Sequence, residues 1–307
     1  MKYLIIGAGA VGATIGGFLA HTNKDVSMIA RGEHLKNIQE NGLILFSEKI
    51  GDQVIKNIQA FDQTQYSDKA DVIFVCVKSY SIEEILPTIN AASHENTIII
   101  PILNTFGTGE AIASKTSIKY IFDGCIYIAA CIPEPGVISQ TAEIFRIVCG
   151  PVNGELPPQT MMDRLKSDLN ESKIELILSK NINEDKFKKF SLTSAFALTG
   201  AYFDISAEKM QTEGECREMM IALLGELKTL SIVMNLDVDI DIVKDNLIII
   251  DKFKGDTTAS LQRDLKTQNN SEIDGLLFNV LRLGKKYKVD MPTYEKVAKK
   301  LSSFYAK

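Results

Sequence analysis

Short apolar runs separated by polar, glycine-containing segments dominate the first half of the chain. The runs at residues 3–6, 70–77 and 97–103 are almost continuously hydrophobic, which is typical of parallel strands buried on both faces. Helical periods follow such runs, for example at residues 32–41 and 157–169. This repeated order of strand and helix predicts an α/β fold with a doubly wound, Rossmann-type sheet.

Proline, glycine and serine positions refine the element boundaries. Ser81 is predicted to cap the helix that follows it. Pro101 has no N–H, so it indicates an edge strand or an unpaired position. The turn at residues 133–136 predicts a hairpin between residues 124–132 and 137–141. Further strands are predicted at residues 25–29, 43–46, 53–55, 118–121, 144–148 and 174–178.

From about residue 181 the pattern changes to long helical periods without alternating strands. Helices are predicted at residues 183–202, 207–234, 239–253, 271–287 and 293–306, with a polar loop entering a short helix at 257–265. A chain of 307 residues is also long for a single core. The sequence therefore predicts a Rossmann domain at residues 1–180 and an all-α domain at 181–307.

A glycine-rich turn stands between the first predicted strand and the first predicted helix. It comprises Gly7, Ala8, Gly9, Ala10, Val11 and Gly12 and reads G-x-G-x-x-G. In this context Gly7 permits the tight turn, Gly9 lets the backbone approach a pyrophosphate, and Gly12 lets the helix pack closely on the strand. The N–H groups at the helix start also favour phosphate. The pattern predicts a dinucleotide site; a glycine-rich turn without a ligand is the alternative.

The end of the second predicted strand bears on which dinucleotide binds. NAD sites usually place Asp or Glu there to bind the ribose 2′-hydroxyl. This chain has Arg31 instead, and a guanidinium suits a 2′-phosphate. NADP(H) is therefore predicted over NAD, although a solvated Arg31 paired with Glu33 would look the same in sequence.

Two more polar residues follow predicted strands. Lys78 comes after the run at residues 70–77, and Asn104 comes after the run at 97–103. Ligands of doubly wound sheets bind outside the carboxyl ends of the strands, so both are predicted to contribute to the cofactor site. Each is alternatively an ordinary loop residue.

Composition narrows the class of protein further. The net charge is −5, which argues against nucleic acid as a partner. The five cysteines and three histidines show no metal-ligand spacing, so no metal site is expected. No signal peptide and no apolar run of about 18 residues is visible. These features predict a cytoplasmic enzyme that does not contact membranes.

Nearly the whole chain resembles the ketopantoate reductase (2-dehydropantoate 2-reductase) family. The matching elements are G-A-G-A-V-G at 7–12, A-R-G at 30–32, V-K-S at 77–79, I-L-N-T-F-G at 102–107, K-F-K-K-F at 186–190 and S-E-I-D at 271–274. The resemblance implies a Rossmann domain followed by a helical domain. It also implies NADPH-dependent reduction of an α-keto acid in the pathway to pantothenate and coenzyme A.

The resemblance also implies roles for individual residues. Lys189 matches the family's catalytic lysine, Asn104 the asparagine near nicotinamide and substrate, and Glu272 and Ser260 substrate-site positions. An ammonium near the reacting carbonyl can donate the proton that hydride addition requires. Without the resemblance, Glu272 is equally well a first-turn carboxylate and Ser260 a helix cap.

The substrate side departs from the family pattern. Thr193 and Ala197 lie one and two turns beyond Lys189, on the same helical face, at positions where the family usually has asparagines. Ketopantoate is therefore the leading substrate but not the only one to consider. Two alternatives stay open, a non-catalytic NADP-binding or sensing protein and a related dehydrogenase for a different hydroxy or keto acid. The helical domain could also support a homodimer.

Overall fold

The computed structural model describes residues 1–305. The chain falls into two compact units, one formed by Met1–Leu103 with Gly107–Ile182 and the other by Asn104–Phe106 with the residues from Asn183 onward. Residue 306 of the last predicted helix lies outside the described residues, as does residue 307 of the predicted second domain.

The first unit contains every strand of the described chain and its first five helices. Its strands are β1 (Lys2–Ile6), β2 (Asp25–Ile29), β3 (Leu43–Ser47), β4 (Gln53–Ile55), β5 (Gln59–Phe61), β6 (Val72–Val75), β7 (Ile98–Pro101), β8 (Tyr120–Tyr127), β9 (Ala130–Glu134), β10 (Val137–Gln140), β11 (Arg146–Pro151) and β12 (Glu175–Leu178). Its helices are α1 (Ala10–His21), α2 (Gly32–Asn41), α3 (Ile82–Ala92), α4 (Thr108–Ala113) and α5 (Gln159–Glu171).

An eight-stranded sheet in the order β12-β11-β8-β7-β6-β1-β2-β5 forms the centre of this unit. Pairing is parallel except between β8 and β11, which are antiparallel. Successive side chains of a strand point to opposite faces, so Tyr3 and Ile5 enter one apolar cluster while Leu4 and Ile6 enter the other. Helices cover both faces, which confirms the predicted Rossmann-type fold and explains the continuous apolar runs.

A four-stranded sheet in the order β4-β3-β10-β9 lies beside the large one. Strands β9 and β10 form the predicted hairpin around the proline-glycine turn. The first arm of that prediction was too long, because residues 124–127 belong to β8 in the large sheet. Gly124 marks a close approach of strands and not a boundary, since a Cβ there would lie 3.1 Å from the Pro101 carbonyl oxygen.

Two other local predictions need correction. Pro101 does not mark an edge, because β7 lies between β6 and β8. It is the last residue of that strand, and the following Ile102 N–H donates to the Val75 carbonyl at 2.8 Å. Ser81 ends the 3₁₀ turn Ser79–Ser81 and is the N-cap residue of α3, as predicted, but its side chain makes no capping hydrogen bond.

The second unit is helical, as predicted. Its helices are α6 (Ile182–Phe203), α7 (Ala207–Met210), α8 (Glu215–Val233), α9 (Ile242–Ile250), α10 (Ser260–Lys266), α11 (Asn279–Tyr287) and α12 (Pro292–Tyr305). The single helix predicted at residues 207–234 is two helices, separated by a bend at residues 211–214 whose last residue, Gly214, adopts φ 132° and is the N-cap of α8. The helix predicted at 271–287 begins with a π-helical segment, Asp274–Phe278, that continues into α11.

A buried polar network ties β1 to α5. Asp168 is 5% exposed and accepts a hydrogen bond of 2.7 Å from the Tyr3 hydroxyl. Lys24 Nζ lies 3.1 Å from the same carboxylate. Burial opposes ionisation of Asp168, but the hydrogen bonds from Tyr3 and Lys24 outweigh it and hold the pKa of this carboxyl below its usual value.

Replacing Asp168 with alanine should lower the free energy of unfolding by about 2–4 kcal/mol, because the buried Tyr3 hydroxyl would lose its carboxylate acceptor and Lys24, which keeps Glu171, would lose the more buried of its two partners. Glu171 binds the same lysine at 2.6 Å but is 56% exposed, so Glu171→Ala should cost less than about 1 kcal/mol. Urea unfolding measures both. The Asp168 contribution is present above the usual aspartate pKa of 3.8 and is lost as the pH falls through its lower folded-state pKa. Equal costs for the two variants would contradict this account.

Candidate functional site

The glycine-rich turn connects β1 to α1 in the first unit. Gly7 follows the last residue of β1 and adopts φ 100°, which side chains with a Cβ rarely allow. The Gly7 and Ala8 N–H groups both donate to the Ile29 carbonyl, at 3.2 and 3.0 Å. Two backbone hydrogen bonds therefore anchor the start of the turn to β2.

Gly9 and Gly12 face different surroundings. A Cβ on Gly12 would lie 2.1 Å from the Gly7 carbonyl oxygen and 2.9 Å from Ile5, so α1 approaches β1 as closely as only glycine permits. A Cβ on Gly9, in contrast, would meet nothing within 4 Å. Gly9 is the N-cap of α1, and the first N–H groups of a helix have no intrahelical acceptor. Open space and free donors thus coincide where a phosphate is expected.

Arg31 stands after β2 as the N-cap of α2. Its side chain is 72% exposed, and its guanidinium lies 3.9 Å from Glu84 Oε1. The salt bridge is therefore with α3 rather than with Glu33. Hydrogen bonds from the Thr64 backbone and hydroxyl hold the pKa of Asp62 below its usual range, and the positive charge of Arg31 lowers it further. The guanidinium therefore lies near Glu84, beyond the carboxyl end of β2, and is open to solvent.

Lys78 occupies the equivalent position after β6. It is half-buried and precedes the 3₁₀ turn Ser79–Ser81. Strands β6, β1 and β2 are adjacent and parallel, so Lys78, Gly7 and Arg31 lie along one edge of the sheet. The structure thus brings together the residues predicted to bind cofactor in the first unit.

Asn104 belongs to the helical unit although it follows β7 in sequence. Its Oδ1 accepts a hydrogen bond of 3.0 Å from Lys189 Nζ on α6. Phe106, two residues later, packs edge-on against Phe187 with ring centroids 5.3 Å apart and also contacts Phe190. The short segment 104–106 is therefore anchored to α6 by one polar and two aromatic contacts, which fix Asn104 beside Lys189.

Phe106 is not among the candidate site residues that the sequence indicates. Its role follows from contacts across more than eighty positions of sequence. The sequence near Lys189 carries one sign of this contact. Phe187 and Phe190 place two rings within one helical turn of Lys189, and such rings pack against an apolar partner.

The two positions beyond Lys189 offer little polarity. The Thr193 hydroxyl donates to the Lys189 carbonyl at 3.0 Å, so its hydrogen is committed to its own helix. Ala197 is 1% exposed and belongs to the apolar core of the helical unit. The helical face that carries Lys189 therefore becomes apolar within two turns.

Glu272 and Ser260 lie on other elements of the helical unit. Glu272 is 5% exposed and lies two residues before the π-helical segment, and its carbonyl accepts from the Leu276 N–H at 3.0 Å. Ser260 is half-buried and is the first residue of α10, whose N-cap is Ala259. A capping role for Ser260 is therefore wrong.

Residues 1–305 contain no group of three or more His, Cys, Asp or Glu side chains that could hold a metal ion. None of the helices described is both long enough and apolar enough to cross a bilayer.

Comparison with known proteins covers both units. The family model for ketopantoate reductase PanE/ApbA matches residues 3–154, and the model for its C-terminal domain matches residues 181–304. An uncharacterized oxidoreductase of Bacillus subtilis, YkpB, is 24% identical over 100% of this chain and 99% of that protein. The 2-dehydropantoate 2-reductase of Pyrococcus horikoshii is 23% identical over 95% of this chain and 93% of that protein.

A solved structure shares the fold over the same length. D-mandelate dehydrogenase, in a ternary structure with NADH and anilino(oxo)acetate, superposes with a TM-score of 0.88 at 21% identity, covering 99% of this chain and 98% of that one. The two family models together span both units and include the glycine-rich turn, Asn104, Lys189 and Glu272. The chain therefore belongs to the ketopantoate reductase PanE/ApbA family of oxidoreductases.

Proposed function

We propose that this protein reduces an α-keto acid to an α-hydroxy acid with NADPH. The leading substrate is 2-dehydropantoate (ketopantoate), whose product, pantoate, serves pantothenate and coenzyme A biosynthesis. The observation that carries the proposal is the hydrogen bond of 3.0 Å between Lys189 Nζ and Asn104 Oδ1, in a chain of the ketopantoate reductase family. Residues 1–180 are assigned to NADP binding and residues 181–307 to substrate binding and catalysis.

The first unit fits a dinucleotide. The Cβ position of Gly9 is open. Ala10, Val11 and Gly12 are the first residues of α1, and a pyrophosphate there would accept hydrogen bonds from their N–H groups. The backbone of Ala8 completes the turn. Arg31 is proposed to bind the 2′-phosphate, and Lys78 to bind either the phosphates or the nicotinamide end.

The helical unit supplies the acid. When bound, a reduced nicotinamide would supply the hydride that the carbonyl carbon of the keto acid takes up. Lys189 donates a proton to the carbonyl oxygen as negative charge develops there, and water restores the lysine proton afterwards. Asn104 orients the lysine through its Oδ1. Glu272 and Ser260 are proposed to bind the polar groups of the substrate.

A related keto acid is the second candidate substrate, supported by the residues that follow Lys189. The Thr193 hydroxyl hydrogen is committed to the Lys189 carbonyl, and Ala197 has no polar group. A positioned neutral hydrogen bond contributes about 0.5–1.5 kcal/mol. A substrate without a polar group at this position makes no such hydrogen bond and therefore loses no binding free energy here. This favours testing keto acids with apolar side chains beside ketopantoate.

Replacing Arg31 with glutamine should weaken NADPH binding about tenfold, because one charge-assisted contact to the 2′-phosphate is lost. NADH binding should change less than about twofold, since NADH has no such phosphate. Titration of the folded variant with each dinucleotide measures both. Arg146 offers a matched control, as an arginine 39% exposed and paired with Glu175 in the same unit. Equal losses for NADPH and NADH in Arg31→Gln would contradict the 2′-phosphate role.

Turnover over a panel of α-keto acids tests the reaction itself. The panel contains ketopantoate, an aliphatic keto acid without a hydroxyl, and an aromatic keto acid, each with NADPH and with NADH. We expect NADPH-selective reduction of at least one member. NADPH binding with no reduction of any member would favour the non-catalytic NADP-binding protein instead.

A further inference from the structure

His34 connects three parts of the first unit. It lies on α2, three residues after Arg31, and its Nδ1 accepts a hydrogen bond of 2.9 Å from the Gly136 N–H in the turn between β9 and β10. That turn rests against the same helix, because a Cβ on Gly136 would lie 2.7 Å from the Asn37 Cβ. On its other side the ring lies near the Ala8 backbone of the glycine-rich turn, which opposes the fall in its pKa, although no hydrogen bond to Ala8 is formed.

The Gly136 contact determines where the ring proton resides. A nitrogen that accepts a hydrogen bond carries no proton, so the neutral ring must hold its hydrogen on Nε2. Burial lowers the pKa of His34, although the Ala8 backbone works against this shift, and the ring is therefore neutral near pH 7. His34 thus presents an Nε2–H donor toward the glycine-rich turn.

This Nε2–H donor does not complete a hydrogen bond in the part of the chain that the structure describes. Within residues 1–305, Nε2 of His34 is shielded from solvent and has no partner at hydrogen-bonding geometry. A buried donor without an acceptor costs free energy, so any tightening of the turn that completes the contact with the Ala8 carbonyl is favoured. The Ala8 N–H is already fixed on Ile29, which leaves its carbonyl as the group that can adjust.

We propose that His34 is a positioning residue for the dinucleotide site, whose Nε2–H binds the Ala8 carbonyl and holds the glycine-rich turn when the turn closes on the cofactor phosphates. This role rests on the proposed dinucleotide function. His34 does not touch the reacting atoms. Through its two ring nitrogens it links the β9–β10 turn to the glycine-rich turn that binds pyrophosphate. It lies on α2, which begins next to Arg31, so the positions of these elements are coupled.

Two conservative variants separate the two ends of the ring. His34→Asn can place an acceptor near Nδ1 and keep the Gly136 contact, but it removes the Nε2 donor. His34→Gln can place an N–H near Nε2 and keep the Ala8 contact, but it weakens the Gly136 contact. We expect NADPH to bind His34→Asn about three- to tenfold more weakly than wild type, as for the loss of one neutral hydrogen bond. His34→Gln should bind within about twofold of wild type.

Further readouts distinguish positioning from general destabilisation. At saturating NADPH, kcat of His34→Asn should equal that of wild type while KM for NADPH rises. In ¹⁵N-labelled wild type, the Nε2–H signal of His34 should shift on adding NADPH. His94→Gln is the matched control, because His94 contacts Asp71 at 3.1 Å and accepts from Asn96; its NADPH affinity should not change.

The outcomes are distinguishable. Equal affinity of His34→Asn and wild type overturns the role, and so does a loss in His34→Gln as large as that in His34→Asn, because the Gly136 contact would then be responsible. If wild type binds neither NADPH nor NADH, the proposed dinucleotide function fails and this role fails with it. If His34→Asn does not fold, an unchanged Nε2–H signal in wild type saturated with NADPH overturns the role.

Discussion

Replacing Lys189 with alanine is expected to lower kcat for keto-acid reduction by about 10²- to 10⁴-fold, the usual contribution of a positioned general acid. The hydrogen bond to Asn104 holds the ammonium in one place, and alanine offers neither charge nor proton. NADPH affinity should change little, since the residues proposed to bind NADPH, other than Asn104, lie in the first unit. Steady-state kinetics beside a dinucleotide titration measures both quantities.

Lys188 provides the control for that experiment. It is the adjacent lysine on α6, and it pairs with Asp185 at 3.3 Å and with Asp239. Lys188→Ala removes a similar side chain and the same formal charge, and it should retain kcat within about twofold. Comparable losses in the two variants would show that the effect comes from charge or from the stability of α6, and would contradict Lys189 as the proton donor.

Replacing Gly9 with alanine is expected to weaken dinucleotide binding by about 10- to 100-fold while the protein stays folded. The added Cβ meets no protein atom within 4 Å, and the Gly9 φ of −68° suits alanine, so the free energy of unfolding should fall by no more than about 1 kcal/mol. The same methyl group would occupy the space proposed for the pyrophosphate, and forced overlap costs about 1–3 kcal/mol.

Gly12→Ala is the informative partner of that variant. Its Cβ would lie 2.1 Å from the Gly7 carbonyl oxygen, so α1 must move away from β1 and both stability and dinucleotide affinity should fall. Thermal unfolding and NADPH titration of both variants distinguish a glycine that leaves room for a ligand, Gly9, from a glycine that the packing of α1 on β1 requires, Gly12. A destabilised Gly9→Ala, or a Gly9→Ala that binds NADPH as wild type does, would contradict the assignment.

Features encoded over a few neighbouring residues were predictable from sequence. The second strand and the helix at residues 32–41 have the predicted bounds, because hydrophobic period and flanking glycines are local signals. The glycine-rich turn was recognisable for the same reason, since its chemistry depends on six consecutive backbone positions.

Features set by distant contacts were not predictable in this way. Pro101 indicates an edge strand or an unpaired position; it is the last residue of an interior strand, where the following residue makes the hydrogen bond. The membership of Asn104 in the helical unit depends on Lys189 and Phe187, both more than eighty positions away. The role of His34 likewise depends on Gly136, which no pattern around residue 34 indicates.

The most direct test of the account follows the transferred hydrogen. Wild-type protein is given ketopantoate and the other keto acids with NADPH that carries two deuterium atoms at C4 of the nicotinamide, and the product is examined by mass spectrometry and NMR. The expected product is an α-hydroxy acid with one deuterium on the former carbonyl carbon and none on its oxygen, formed by Lys189→Ala about 10²- to 10⁴-fold more slowly than by wild type. Bound NADPH that transfers no deuterium to any keto acid, or an equal rate of transfer by Lys189→Ala, would contradict the account.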